Sequence, residues 1–193
     1  MEQMNEAVAS CVSGDSERFA EVYDAYIQKI YDFIYYKTLH KETAEDLTST
    51  TFMKALEKIQ TYDDSKGSFS SWLYRIARNT VIDHYRTSKS AQDISGIWWI
   101  STGEDIERDV EVYRQLEDVE IYLKRLKPNQ REIVIMRVWD QLSYKEIAEI
   151  TGISESNCKM TFSRTIRHLR ETFGSGVVGL LVIAIATTIW LQR

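Results

Sequence analysis

Proline and cysteine are nearly missing from this chain of 193 residues, which has one of the first and two of the second. A single proline and eight glycines leave long stretches without a helix breaker, and tracts rich in Glu, Lys, Leu, Ile and Ala fill them. Cys11 and Cys158 stand far apart in no CxxC or Cys/His spacing, so neither a zinc site nor a disulfide framework is indicated. That usage suits a reducing cytosol. The three histidines, His40, His84 and His168, are scattered, and no phosphate-cradling glycine loop exists. The sequence therefore points away from an enzyme and calls for no metal or cofactor. Positive charge is also short. With 24 Lys and Arg against 29 Asp and Glu, the net charge of −5 excludes indiscriminate nucleic-acid binding but leaves room for a locally basic site. The first residues, MEQMNEAVAS, have neither a basic leader nor an apolar core and do not read as a signal peptide.

What is present is hydrophobic (44%) and charged (27%) in the proportions of a folding chain, and the periodicity is helical nearly throughout. The expected fold is all-α. Between 16 and 39 the apolar positions Phe19, Val22, Tyr26, Ile30 and Phe33 keep a 3.6-residue period, predicting one long helix or a helix pair with its rings in the core. Thr43 and Asp46 have the form of a helix-opening box for a helix carrying Leu47, Phe52, Ala55, Leu56 and Ile59. A polar loop at 62–67 follows, with Ser68 or Ser70 as the expected cap of the next helix.

The stretch 67–86, GSFSSWLYRIARNTVIDHYR, crowds aromatic rings and cations into about five helical turns. Trp72, Leu73, Ile76, Ala77, Thr80 and Val81 form the expected burying stripe, with Tyr74, Arg75, Arg78 and Asn79 on other faces. Such a helix suits a nucleic-acid backbone and exposed bases. An ordinary amphipathic helix with solvated arginines fits the same pattern.

Periodicity fails from 87 to 103, where a linker containing Trp98 and Trp99 runs into the acidic residues Glu104, Asp105, Glu107, Asp109 and Glu111. Pro128 sits where a helix starts well. Ser143 and Glu146 make a capping box for a short helix, Gly152 breaks it, and Ser154 caps another helix running to Glu171. Two helices across a tight glycine turn make a helix-turn-helix. Cys158, Phe162, Ile166 and Leu169 mark the buried side of the second helix, which makes Cys158 a small core residue. Lys159, Ser163, Arg164 and Arg167 lie on or beside the other side.

Together these stretches resemble the bacterial RNA polymerase sigma factors of the sigma-70 superfamily, in particular the extracytoplasmic-function (ECF) group. AEDLTSTTFMKALEKI is similar to the core-polymerase-binding helix, FSSWLYRIARNTVIDHYR to the promoter −10 recognition helix, and LKPNQREIVIMRVWDQLSYKEIAEITGIS through HLRE to the −35-reading domain. The resemblance implies two small helical domains, 16–88 and 113–172, joined by an acidic linker at 89–112, with an extension at 1–15 and a tail at 173–193. It implies −10 contacts from Arg75, Arg78 and Asn79, with Tyr62, Lys66 and Phe69 in or near a base-capturing loop and Trp72 in the core. It implies −35 contacts from Ser156, Asn157, Lys159, Ser163 and Arg164, and a polymerase-binding face at Asp46, Ser49, Thr50 and Phe52. The partners implied are core RNA polymerase and promoter DNA, with room for an anti-sigma factor. Ser49-Thr50 stands where the family commonly has Gln-Glu, and Thr161 where Arg is common. A stand-alone helix-turn-helix regulator acting without polymerase is the alternative, and a membrane-bound interaction protein a third reading.

The tail is unlike a surface helix. The run 177–191 is apolar all round, at about 1.5 Å per residue comes near the thickness of a bilayer core, and follows Arg164, Arg167 and Arg170. It is expected to tether a cytoplasmic protein to the inner face of the cell membrane. A buried or partner-docking helix is the other reading.

Overall fold

A computed structural model describes residues 2–89, 123 and 125–173, and these form helices and short connections with no strand among them. The linker with Trp98 and Trp99, the acidic run and the apolar segment 177–191 lie outside the described residues. Among those described, no helix is long and apolar enough to cross a membrane. The chain divides into two compact units.

The first unit has four helices: α1 (Glu2–Val12), α2 (Phe19–Thr38), α3 (Lys41–Lys58) and α4 (Phe69–Lys89). Helices α2, α3 and α4 pack against one another, and α1 lies along α2. Residues 2–12, for which the sequence predicted no helix, bury Ala7, Val8 and Cys11, so they contribute core. The period at 16–39 resolves into one long helix behind a 3-10 turn at Ser16–Arg18. It ends at Leu39, whose φ of 52° is the left-handed cap conformation and whose N–H reaches the Tyr35 carbonyl.

Two expectations for α3 are corrected. The helix starts at Lys41, not at Thr43, because His40 caps it. The Thr43 N–H donates to His40 Nδ1 at 3.2 Å, and the Thr43 hydroxyl lies 2.9 Å from the same nitrogen. Its buried face is also rotated from the apolar pattern. Thr48 and Thr51 are buried, each hydroxyl satisfied by the carbonyl four residues back (Ala44 at 2.6 Å, Leu47 at 2.7 Å), whereas Leu56 is 43% exposed.

Helix α4 is capped by Ser68, whose hydroxyl accepts from the Ser71 N–H. Its buried face holds Leu73, Tyr74, Ala77, Thr80 and Val81. Tyr74 is 1% exposed and meets Phe33 edge-on at 5.1 Å, so it is core rather than surface. Trp72 and Ile76, expected in the core, are only half-buried.

The second unit contains α5 (Pro128–Val138), α6 (Tyr144–Thr151) and α7 (Glu155–Phe173). Pro128 opens α5 as expected. In the same helix Arg131 is buried and donates to the Leu123 carbonyl at 2.7 Å, which also accepts from the Leu126 N–H, and to the Leu126 carbonyl at 3.3 Å. The connection to α6 turns through Gln141 at φ 54° and is held by Arg137, which donates to the Leu142 carbonyl at 2.8 Å and stacks on the Tyr144 ring.

Candidate nucleic-acid interface

In the first unit the site grows from a short loop. Tyr62 leaves the 3-10 turn at Ile59–Thr61, and a second turn at Asp64–Lys66 leads to Gly67 and α4. The Tyr62 ring lies edge-on to Phe69 (5.4 Å) and tilted against Trp72 (5.7 Å). Phe69 also touches Trp72 (5.4 Å) and Tyr26 of α2 (5.6 Å). Four rings from three elements thus form one cluster, with Lys29 Nζ over the Tyr26 ring at 5.7 Å. Burial separates their roles. Phe69 is 7% exposed and forms the floor, while Tyr62, Trp72 and Tyr26 are half-buried and offer ring surface to solvent. Phe69, expected in or near a base-capturing loop, is buried beneath the other rings. Burial, followed by Asp64 and Asp63, pushes the Tyr62 phenol up, so it stays protonated and able to donate.

Along α4, successive residues turn by about 100°, which puts Trp72, Arg75, Asn79 and Arg86 within about 60° of one another, opposite the buried face. Arg78 lies about 100° around the helix from Asn79. This row continues the ring cluster as half-buried Trp72 and Arg75 and exposed Asn79 and Arg86, with exposed Ile82 and Asp83 on its flanks. Arg75 and Asn79 fall in this row, and Arg78 lies about 60° beyond Arg75. Arg86, Tyr26 and Lys29 join this surface although none was among the expected contacts. Rotation of α4 by the burial of Tyr74 is the signal that would have found Arg86.

In the second unit the helix-turn-helix takes its expected form. The Ser143 N–H donates to Glu146 Oε2 at 2.9 Å, and the Glu146 N–H returns to Ser143 Oγ at 3.2 Å. Gly152 turns at φ 73°, a conformation that favours glycine. The Ser154 hydroxyl accepts weakly from the Asn157 N–H at 3.4 Å. Cys158 and Leu169 are buried as expected. Thr165 joins them, and Phe162 and Ile166 are half-buried. Tyr144 meets Phe162 edge-on at 6.0 Å, tying α6 to α7.

Ser156, Asn157, Lys159, Ser163 and Arg164 are all exposed. Lys159, Ser163, Ser156 and Arg167 fall within about 80° on α7, with Met160 beside them, while Arg164 and Asn157 form a flank about 100° from Ser163. The outward side is cationic and hydroxylic, as a major-groove reader requires.

A third surface lies on α3. Asp46 and Ser49 are exposed and Thr50 half-buried. Phe52, expected on the same face, is 5% exposed and packs edge-on against Phe19 (6.5 Å) and Tyr23 (4.8 Å), so it lies in the core beneath the exposed residues. The Ser49 and Thr50 hydroxyls donate back to the Glu45 and Asp46 carbonyls and reach little beyond their own helix. The outward apolar surface here is Met53, 65% exposed, and Leu56.

Family models for Sigma-70 region 2 and Sigma-70 region 4 match residues 22–91 and 116–169. The chain is 35% identical over 171 residues to the ECF RNA polymerase sigma factor BldN of Streptomyces coelicolor, covering 86% of this chain and 64% of that protein's length. It is 33% identical to the ECF RNA polymerase sigma factor SigM of Bacillus subtilis, covering 81% of this chain and 96% of SigM. Among solved structures, the sigma factor RpoE in its complex with the anti-sigma factor NepR from Bartonella quintana superposes with a TM-score of 0.65 at 24% identity, covering 79% of this chain and 94% of RpoE, which establishes the shared fold.

Proposed function

The chain belongs to the ECF group of the sigma-70 family of RNA polymerase sigma factors, and on that premise we propose how its residues divide the work of promoter recognition. As a sigma factor it binds core RNA polymerase and directs promoter-specific initiation of DNA-templated transcription. Bond formation falls to the polymerase, and this chain supplies recognition.

The observation that carries the proposed division is the ring cluster at the start of α4. Trp72, Tyr62 and Tyr26 expose half-buried ring surface, and Arg75, Asn79 and Arg86 continue from it along one helix face. Rings accept unstacked bases and cations hold the phosphates between them, so this surface suits the non-template strand of an opened −10 element. Lys29 and Lys66 are proposed to flank the entry, with Phe69 as the floor. In the second unit, Ser156, Lys159, Ser163 and Arg167 would face the duplex −35 element, with Asn157 and Arg164 on the flank. Arg or Lys paired to guanine is the expected specific contact. Asp46, Ser49 and Thr50 are proposed to frame a polymerase-docking face whose apolar contacts come from Met53 and Leu56. The proposed domains are 16–88 and 113–172.

RpoE was solved with an anti-sigma factor, and a partner of that class is proposed for this chain. The apolar stretch 177–191 supports a single-pass tether at the inner membrane face, a proposal resting on the sequence alone. Carbonate-resistant pelleting of the full chain with membranes, abolished by ending the chain at Gly174, is the expected result. A full-length chain that stays in the supernatant contradicts the tether.

Run-off transcription with core polymerase, with and without this chain, tests the function. Promoter-specific transcripts only when it is added are expected. Duplex binding with no initiation would instead describe a stand-alone regulator.

A further inference from the structure

The loop at 62–68 is tied together without DNA. The Tyr62 hydroxyl donates to the Gly67 carbonyl at 3.1 Å and closes the loop across its base. Its middle is organised by one carboxylate. Asp63 Oδ1 accepts from the Ser65 N–H at 3.0 Å and the Ser65 hydroxyl at 2.6 Å, while Oδ2 lies 2.9 Å from the Lys66 ammonium. These donors, the Ser65 hydroxyl first, then Lys66 and the Ser65 amide, hold the Asp63 carboxyl down to about 2. Gly67 then leaves at φ 143°, a conformation side chains rarely adopt. Asp64, Ser65 and Lys66 are exposed, so fixing this turn adds no core packing of its own.

We propose that Asp63 is a positioning residue for base capture: by fixing the Ser65 turn it holds the loop between Tyr62 and Phe69 in the shape that receives an unstacked base, and it holds Lys66 at the rim. Ordering is then completed on folding rather than on binding, so more of the contact energy is available to distinguish one base from another. Asp63 itself touches no base. Its two roles are separable, because an asparagine oxygen can still accept from Ser65, as Asn does in such turns, but cannot pair with Lys66.

The inference rests on the proposal that this loop takes a base from the single strand, and the test separates the two. Holoenzyme assembled from the full chain and core polymerase is given a randomised pool of single-stranded DNA of about 12 nucleotides, and the bound fraction is sequenced. An abasic site is then placed at the most strongly selected position. For the wild type, affinity should fall about tenfold, in the range of one lost base–ring stack. In Asp63→Ala the selection should flatten and the abasic penalty shrink below about twofold. Asp63→Asn should keep the selection, showing that the turn rather than the charge is what matters. Circular dichroism checks that both variants fold. Selection by Asp63→Ala as sharp as the wild type's overturns the inference, as does an Asp63→Asn variant that behaves like the alanine. A wild-type holoenzyme with no abasic penalty at any selected position overturns the base-capture proposal itself.

Discussion

Helices α4 and α7 both turn cations outward, but they keep them in different company. On α4 the row of Arg75, Asn79 and Arg86 begins at Trp72 and runs into a cluster of four rings. On α7, residues 155–172 carry one Phe, Tyr or Trp, the half-buried Phe162, against the four clustered rings at the start of α4. Phe162 pairs edge-on with Tyr144 of α6, and Lys159, Ser163, Arg164 and Arg167 face solvent with Met160. Rings have value only against bases that have left the stack, whereas a bare cationic and hydroxylic side fits a major groove still closed. The difference supports the proposed division, with single-strand work in the first unit and duplex work in the second.

The largest test of the comparison is structural. Tyr74→Ala removes a fully buried ring that fixes the rotation of α4 and should cost roughly 3–5 kcal/mol of stability, read by chemical denaturation. Trp72→Ala, at a half-buried position, should cost far less stability. It should instead weaken single-stranded −10 DNA binding by about 1–3 kcal/mol and leave duplex −35 binding unchanged. Arg164→Ala should do the reverse, weakening duplex −35 binding by about 1–3 kcal/mol with single-strand affinity intact, measured by fluorescence anisotropy on the two probes.

Much of this was legible in the sequence wherever a local rule has a single outcome. The Ser143–Glu146 box, Pro128 at a first turn, glycine at 152 and the Ser68 cap all took the expected form. Orientation around a helix axis was harder. In α4 the run Trp72-Leu73-Tyr74 offers two neighbouring faces for burial, and periodicity alone does not choose between them. The fold chose Tyr74 because Phe33 faces it. In α3 the buried Thr48 and Thr51 read as polar, yet each closes its hydroxyl on its own helix and packs as a small apolar residue would. That displaced Leu56 and Met53 outward, onto the face assigned to polymerase, and drew Phe52 inward. His40 caps α3 in place of Thr43, its ring nitrogen accepting from the Thr43 N–H that the expected box left to Asp46.

Smaller effects sharpen the same contrast. Gln141 is exposed and held at φ 54°, so Gln141→Gly should raise thermal stability by about 1 kcal/mol without altering DNA selectivity, which belongs to α7 rather than to the turn before α6. Acid should affect the 62–68 loop late. The Asp63 carboxyl is depressed from 3.8 to about 2, so its contribution is complete above the unfolded value and is lost as pH falls through the folded one. The Ser65 amide resonance should accordingly shift with a midpoint near 2 rather than near 4.

The central claim is that α4 opens DNA that α7 has already located. Permanganate reactivity of unpaired thymines, measured beside a filter-binding assay on one promoter selected by the holoenzyme, tests it most directly. With Trp72→Ala the account predicts retained promoter binding and lost −10 reactivity, and with Arg164→Ala reduced binding with reactivity falling in proportion. A Trp72→Ala holoenzyme that binds and opens the promoter like the wild type would contradict it.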